Sequence, residues 1–129
     1  MTRANESYLL NAIIRAAYPF MLLYRVNVGR VKTADGRWFS TGVPKGHPDL
    51  HGDIPARFTR HGHAVPVYVE AKVYPNRPTP EQLEFIRKKR EDGCVAGVCY
   101  SVADFWRLVG PVLKLENGDL SEDGEDGEN

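Results

Sequence analysis

The sequence predicts an α/β domain in which a central mixed β-sheet is flanked by helices. Three features support this class: an amphipathic segment near the N-terminus, an alternating strand at residues 65–73, and a capped helix after that strand followed by a short apolar strand. Helices that alternate with strands along one chain pack on the faces of a sheet. With 129 residues and 42% hydrophobic residues, the chain is long enough for one domain with one core.

The first predicted element is a helix over about residues 5–18. Its apolar residues recur at the spacing of one helix face: Leu9, Leu10, Ile13, Ala16 and Ala17. Thr2 and Asn5 are candidate N-caps, and Pro19 follows the end of the helix. Glu6 lies three residues before Leu9, so we expect it near the inward-facing stripe.

The middle of the chain predicts strands separated by turns. Residues 20–28 and 50–54 have strand composition, whereas Gly and Pro interrupt residues 33–45, where Trp38 and Phe39 fit a short strand. Residues 60–62 fit a hairpin tip before the strand at 65–73. Because side chains alternate, the valines of this strand face the core while Glu70 and Lys72 share the other face. We therefore expect Asp49 and Glu70 on adjacent strands.

A second helix follows, with Thr79 as N-cap, Pro80 at its first position and Gln82 completing a capping box. It is expected to end near Gly93. Residues 96–100 then fit a short strand, and Ser101 begins a capping pattern for a last helix that ends near residue 109.

The net charge of zero conceals two segments of opposite charge. Residues 1–115 contain all 17 basic residues and ten acidic ones, whereas residues 116–129 contain seven acidic and no basic residues. We predict one domain over 1–115 and a disordered acidic tail over 116–129. A domain of charge +7 is compatible with a nucleic-acid partner. The tail is either a solubility appendage or a shield for a DNA-binding face.

Other features point to a soluble, intracellular protein. The sequence shows no secretory signal and no apolar stretch of membrane-spanning length. Cys94 and Cys99 lack the spacing of a disulfide framework or a zinc site, so we expect both to be reduced and structural.

The residues around Asp49 and Glu70 predict a metal site for phosphodiester hydrolysis. A Mg²⁺ or Mn²⁺ ion takes oxygen ligands, which the two carboxylates and the backbone carbonyl of Ala71 provide. Such an ion lowers the pKa of a water and neutralises phosphoryl charge. Lys72, beside two acids, is expected to stay protonated and to act electrostatically. The plainer alternative is a solvated Glu-Lys ion pair.

Further residues fit either substrate binding or plain structure. His47 adjoins Asp49 and is a candidate substrate contact, whereas a metal held by the four histidines is disfavoured by their placement. The basic residues before Asp49 are a candidate DNA-binding set: Arg30, Lys32, Arg37 and Lys45. Trp38 and Phe39 among them either stack on a base or belong to the core. The basic run at 87–90 fits a solvated helix end or a phosphate contact.

Together, Gly46-His47-Pro48-Asp49, Glu70-Ala71-Lys72 and Thr79-Pro80-Glu81-Gln82 resemble the PD-(D/E)xK nuclease superfamily and, within it, the VRR-NUC family. The resemblance spans roughly residues 5–109. It includes Arg25 and Asn27 on an early strand before Gly29, and a glycine, strand and serine after the second helix. The match of Arg25 and Asn27 implies that both contact the substrate.

This resemblance implies a restriction-endonuclease-like fold with Asp49 and Glu70 as metal ligands and Lys72 as catalytic lysine. It further implies Gln82 as an active-site helper, although Gln82 could serve only as a cap. Glu6 matches an additional site carboxylate of related resolvases. Small stand-alone proteins of this family are typically from phages or bacteria, which implies the cytoplasm of a bacterial or phage-infected cell. Similar ones resemble Holliday-junction resolvases that act as homodimers on branched DNA.

The resulting hypothesis is a Mg²⁺- or Mn²⁺-dependent DNA endonuclease that acts on branched or four-way-junction DNA as a homodimer. One alternative is a protein of nuclease fold that binds nucleic acid or a protein partner without cleavage. Another is a small metallohydrolase with a different substrate.

Overall fold

A computed structural model describes residues 3–26, 30–40 and 42–114. This part of the chain contains three α-helices and six strands. The helices are α1 (Arg3–Ala17), α2 (Pro80–Glu91) and α3 (Val102–Val109). The strands are β1 (Leu22–Arg25), β2 (Arg30–Lys32), β3 (Trp38–Ser40), β4 (Leu50–Ile54), β5 (Val65–Ala71) and β6 (Val95–Cys99).

Four strands form a mixed sheet in the order β1-β4-β5-β6. The pairs β1–β4 and β4–β5 are antiparallel, and β5–β6 is parallel because α2 carries the chain across between them. The remaining strands, β2 and β3, pair with each other in a separate two-stranded sheet. The prediction of an α/β domain with a mixed sheet between helices is confirmed.

The main core lies between one face of this sheet and the helices α1 and α3. The inward positions of β5 are all buried, as their alternation predicted, and Ile13, Leu50 and Phe105 are inaccessible to solvent. Burying a side chain of this size contributes roughly 1.5–3 kcal/mol, so this face supplies most of the driving force for folding. The opposite face is therefore free to carry polar groups.

The helix α2 packs on that opposite face but covers only its β5–β6 half. Phe85 contacts Tyr68 of β5, Ile86 is buried, and Arg90 donates from Nε to the carbonyl of Ala96 at 2.8 Å. Over β1 and β4 the face stays open, and Leu22 and Tyr24 are exposed there. The sheet thus has one fully covered face and one partly covered face.

Most element boundaries agree with the sequence-based predictions, with some differences. Asn5 lies inside α1 rather than at its cap, because the helix already includes Arg3. The early strand is described only as Leu22–Arg25, and the short strand β2 was not predicted. Thr2, Asn27, Gly29 and residues 115–129, with the predicted tail, lie outside the described residues.

Two smaller findings concern the cysteines and the helices. Cys94 and Cys99 are both free, and Cys99 is buried, in agreement with a structural role. In the described residues 3–26, 30–40 and 42–114, every helix is too short or too polar to cross a bilayer.

Candidate active site

Asp49 and Glu70 meet at one end of the mixed sheet. The register pairs Leu50 of β4 with Val69 of β5, so Asp49, one residue before β4, lies across from Glu70. The amide of Val26 donates to the carbonyl of Asp49 at 2.8 Å, which holds the backbone of Asp49 in line with β1. The two acids thus lie across from each other at the ends of adjacent strands, close to the prediction, although Asp49 precedes β4 instead of lying within it.

Glu70 is a buried carboxylate whose two oxygens differ in their contacts. Its side chain is 2% exposed, and Oε2 accepts from Nε2 of Gln82 at 3.0 Å and lies 3.5 Å from Nζ of Lys72. Oε1, in contrast, is the one buried side-chain polar atom without a hydrogen-bond partner in the described part of the chain. An unpartnered buried oxygen of this kind is costly unless a ligand satisfies it.

The protonation of Glu70 follows from this environment. Burial, and next the charge of Asp49, raise the pKa of Glu70 from 4.5 to about 8, and the ammonium of Lys72 opposes the shift. A carboxyl group in this position resists ionisation until a cation compensates its charge. Two neighbouring carboxylates, one of them with a free buried oxygen, fit a hard divalent cation such as Mg²⁺ or Mn²⁺.

The backbone of Ala71 lies beside Asp49. Its amide donates to Oδ2 of Asp49 at 3.3 Å, while its side chain is fully buried in the core. This hydrogen bond orients the Asp49 carboxylate toward the end of β5. The structure therefore brings the predicted oxygen ligands close together: the carboxyl groups of Asp49 and Glu70 and the main chain of Ala71.

Gln82 serves as both a cap and a partner of Glu70. Its Oε1 accepts from the amide of Thr79 at 2.8 Å, and its own amide donates to Oγ1 of Thr79 at 3.1 Å, which confirms the predicted capping box. The Nε2 end of the same side chain reaches Glu70. The start of α2 is thereby fixed relative to the buried carboxylate.

Under the hypothesis of metal-dependent phosphodiester cleavage drawn from the sequence, substitutions can separate these two roles of Gln82. We expect Thr79→Ala to lower the free energy of unfolding by about 1 kcal/mol with little effect on cleavage, because it removes only the cap. We expect Gln82→Glu to retain the capping box but to reduce kcat by roughly 10- to 100-fold, because it replaces an amide donor with a third carboxylate. Urea unfolding and metal-dependent cleavage rates measure the two effects, and equal losses of activity in both variants would contradict the assignment.

The loop before Asp49 is fixed against the first turn of α2. Gly46 has φ 92°, and a Cβ at this position would lie 2.5 Å from the carbonyl oxygen of Glu81. Such a close approach requires glycine. Lys45 adds an exposed ion pair with Glu81 at 3.7 Å. The sequence placed Lys45 among DNA-binding residues, and in the structure it also holds this loop.

In the described part of the chain, no hydrogen bond or ion pair joins Arg25 or Glu6 to Asp49 or Glu70. Arg25 pairs in register with buried Leu50, so alternation directs it to the covered face of the sheet. Asn27 lies outside the described residues. Glu6 is in the first turns of α1.

His47 belongs to a cluster of rings on the partly covered face, which sequence reasoning did not find. Its ring lies 5.0 Å from Phe85, 5.7 Å from Tyr68 and 6.2 Å from His51, measured between centroids. Burial lowers the pKa of His47, which favours the neutral imidazole. Alternation along β5 puts Tyr68 on the face of Glu70, and the same rule applied to β4 adds His51.

The basic run at 87–90 is divided among several partners. Arg87 pairs with Glu84 and Glu91 on the surface of α2, and Arg90 binds β6. Lys89 turns toward the rings, with Nζ 5.1 Å from the centroid of Tyr68. Of the two interpretations offered by the sequence, a solvated helix end describes Arg87, whereas Lys89 belongs to the ring cluster.

The hairpin of β2 and β3 presents its aromatic residues to solvent. Trp38 is 56% exposed and Phe39 is 51% exposed, so neither belongs to the core. Nζ of Lys32 lies 5.8 Å from the Trp38 ring centroid, and Arg37 pairs with Asp35. The alternative of base stacking by these residues stays open.

The histidines do not form a metal site of their own. The rings of His61 and His63 stack with centroids 6.2 Å apart near the connection between β4 and β5. Across residues 3–26, 30–40 and 42–114, no group of three or more His, Cys, Asp or Glu side chains could hold a metal ion. The Asp49–Glu70 pair has two carboxylates, as is usual where water and phosphate oxygens complete the coordination.

Comparisons with known proteins give no family. No protein-family model, curated protein or solved structure matches the chain.

Proposed function

We propose that this protein is a Mg²⁺- or Mn²⁺-dependent DNA endonuclease of the PD-(D/E)xK type, similar to the VRR-NUC family. One observation carries the proposal: a buried glutamate with a free oxygen lies next to Asp49, Lys72 and the amide of Gln82 at one end of the sheet. These are the groups named by the motif, and they come from three separate segments of the chain. A surface ion pair would not require this burial.

The residues would divide the chemistry as follows. Asp49, Glu70 and the carbonyl of Ala71 would hold the ion, which when bound would activate water and neutralise phosphoryl charge. Lys72, whose side chain is 16% exposed, is placed to stabilise negative charge that develops on the phosphate. Gln82 keeps Glu70 in position through its amide donor. Position and electrostatics, rather than a nucleophile on the protein, supply the catalysis.

The nature of the substrate is supported by charge. All 17 basic residues precede residue 115, and the β2–β3 hairpin adds exposed aromatic side chains to this basic domain. Phosphate neutralisation by such a surface supplies affinity for DNA of any sequence. Branched or four-way-junction DNA and action as a homodimer are part of the same proposal, because they follow from the resemblance to resolvases.

A substrate panel tests the proposal. The full-length protein is incubated with plasmid, single-stranded, duplex and four-way-junction DNA, with Mg²⁺, Mn²⁺ or EDTA. We expect cleavage that depends on the metal, fails in EDTA, and is fastest on junction DNA. Binding to DNA without cleavage under all conditions would favour a non-cleaving protein of nuclease fold. Metal binding by calorimetry, with no DNA affinity even at low salt, would indicate a different hydrolase.

A further inference from the structure

The partly covered face of the sheet carries a row of three aromatic side chains. The register aligns Tyr24 of β1 with His51 of β4, and His51 with Tyr68 of β5. His51 and Tyr68 stack with centroids 4.4 Å apart, and Tyr24 meets His51 edge-on at 5.8 Å. We call these three residues the aromatic row.

The aromatic row is adjacent to the acidic pair on the same face. Tyr68 is two residues before Glu70 on β5, and His51 is two residues after Asp49. A spacing of two residues along a strand corresponds to about 7 Å. A ligand with a phosphate group at Asp49 and Glu70 would therefore reach the row with a flat group attached close to that phosphate.

The middle of the aromatic row is held by a hydrogen bond to the backbone, and its β1 end is accessible to solvent. Nδ1 of His51 donates to the carbonyl of Val67 at 3.1 Å, which fixes the imidazole plane. Tyr24 is 47% exposed and neighbouring Leu22 is 68% exposed, because α2 does not extend over β1. A fixed aromatic surface open at one edge is suited to stacking.

The charge next to the row indicates what kind of ligand it accepts. Nζ of Lys89 lies 5.1 Å from the Tyr68 centroid and 5.8 Å from the Phe85 centroid, so a cation borders the rings. A flat apolar group joined to an anion fits both the rings and the lysine, and a nucleotide has this combination.

We propose that the aromatic row is a stacking platform for an unpaired base next to the phosphate held at Asp49 and Glu70. This inference rests on the proposed nuclease function and deepens it, because among branched DNA substrates it favours those that present an unpaired base at the branch point. Fully paired DNA keeps its bases stacked on one another and gains nothing from the row. The platform thus selects strands that present a free base.

The test measures binding with Ca²⁺, which takes oxygen ligands as Mg²⁺ does and can hold the phosphate at Asp49 and Glu70, and a gel verifies that no strand is cut during the titration. Full-length protein is titrated with a blunt duplex and with the same duplex bearing a single-stranded extension, whose first unpaired base is the fluorescent analogue 2-aminopurine. We expect wild type to quench the fluorophore and to prefer the extended duplex. Tyr24→Ala should weaken binding of the extended duplex by roughly ten- to a hundredfold and leave the blunt duplex unchanged.

Two further variants serve as controls. Tyr24→Phe retains the ring and should bind as wild type does. Tyr8→Ala removes a tyrosine that is 72% exposed on α1, beyond the other face of the sheet, and should have no effect. Thermal unfolding verifies that each variant is folded.

Several results would overturn the stacking platform. Unchanged quenching and affinity in Tyr24→Ala would show that the row only packs, and a change in oligomeric mass instead of affinity would assign the face to self-association. If wild type cleaves DNA in the substrate panel while Tyr24→Ala behaves normally, the platform fails and the nuclease proposal stands. If wild type neither binds nor cleaves DNA, both fail.

Discussion

Glu70→Gln should abolish metal-dependent cleavage while leaving the protein folded. The substitution removes the charge of the buried carboxylate beside Asp49 but keeps its shape and its contact with Gln82. A loss of at least a thousandfold in rate is expected, on the order of 4 kcal/mol in the transition state. Asp49→Asn and Lys72→Ala should behave similarly, because each removes one charge from the same site. Initial rates on the best substrate of the panel, with Mg²⁺ or Mn²⁺, give the measurement.

The matched control for these variants is Asp53→Asn. Asp53 is an exposed acid on β4, four residues after Asp49, and it pairs in register with Leu22 of β1. Its substitution should leave the rate within about twofold of wild type, because an exposed charge this far away contributes little. Full metal-dependent activity in any one of the three site variants would refute the proposed roles.

Glu70→Gln should also make the metal-free protein more stable at high pH. The folded pKa of Glu70, about 8, exceeds its ordinary value of 4.5, chiefly because the side chain is buried. The folded state therefore holds a proton between these values that the unfolded state has released. The stabilising contribution is fully present below pH 4.5 and is lost as the pH rises to and through about 8. A neutral glutamine avoids this loss.

The expected difference is largest near pH 9, where the variant should exceed wild type by a few kcal/mol, with an upper limit of about 1.4 kcal/mol per pKa unit. Urea unfolding in EDTA at pH 5, 7 and 9 gives the free energies of unfolding. Glu84→Gln is the control, since Glu84 is exposed on α2, its pKa is lowered by Arg87, and its loss should bring no gain at high pH. A stability difference that is the same at every pH would contradict this account.

Added Mg²⁺ should reverse the order of stability. A ligand that binds only the folded state stabilises it in proportion to the logarithm of its concentration over the dissociation constant. Wild type should gain this stabilisation because the ion compensates Asp49 and Glu70 together. The variant should gain little. Glu70→Gln would therefore be more stable than wild type without metal, yet less stable with Mg²⁺ and inactive.

Local rules in the sequence predicted many elements of the site correctly. The alternation at residues 65–73 placed Glu70 and Lys72 on one face, because side chains of a strand alternate regardless of what surrounds them. The Thr79-Pro80-Glu81-Gln82 motif predicted the cap of α2, because capping contacts span only three residues. These features depend on neighbours in the chain, which the sequence contains directly.

Long-range features could not be predicted in this way. The alignment of Tyr24, His51 and Tyr68 depends on the register of three strands, which is set by the packing of the whole face. The unpartnered oxygen of Glu70 depends on where α2 lies, since Gln82 engages only one of the two oxygens. Arg25 shows the same limit. It was expected to bind substrate beside Asp49 and Glu70, but its register with Leu50 directs it to the opposite face of the sheet.

The sequence by itself determined the α/β class, the shared face of Glu70 and Lys72, and the capped start of α2, because periodicity and capping are set within a few residues. Only the tertiary structure decided that Glu70 is buried with one free oxygen beside Asp49, and that an aromatic row lies about 7 Å away. Burial and strand register arise from contacts between distant segments, and the energy of those contacts depends on three-dimensional packing rather than on order along the chain.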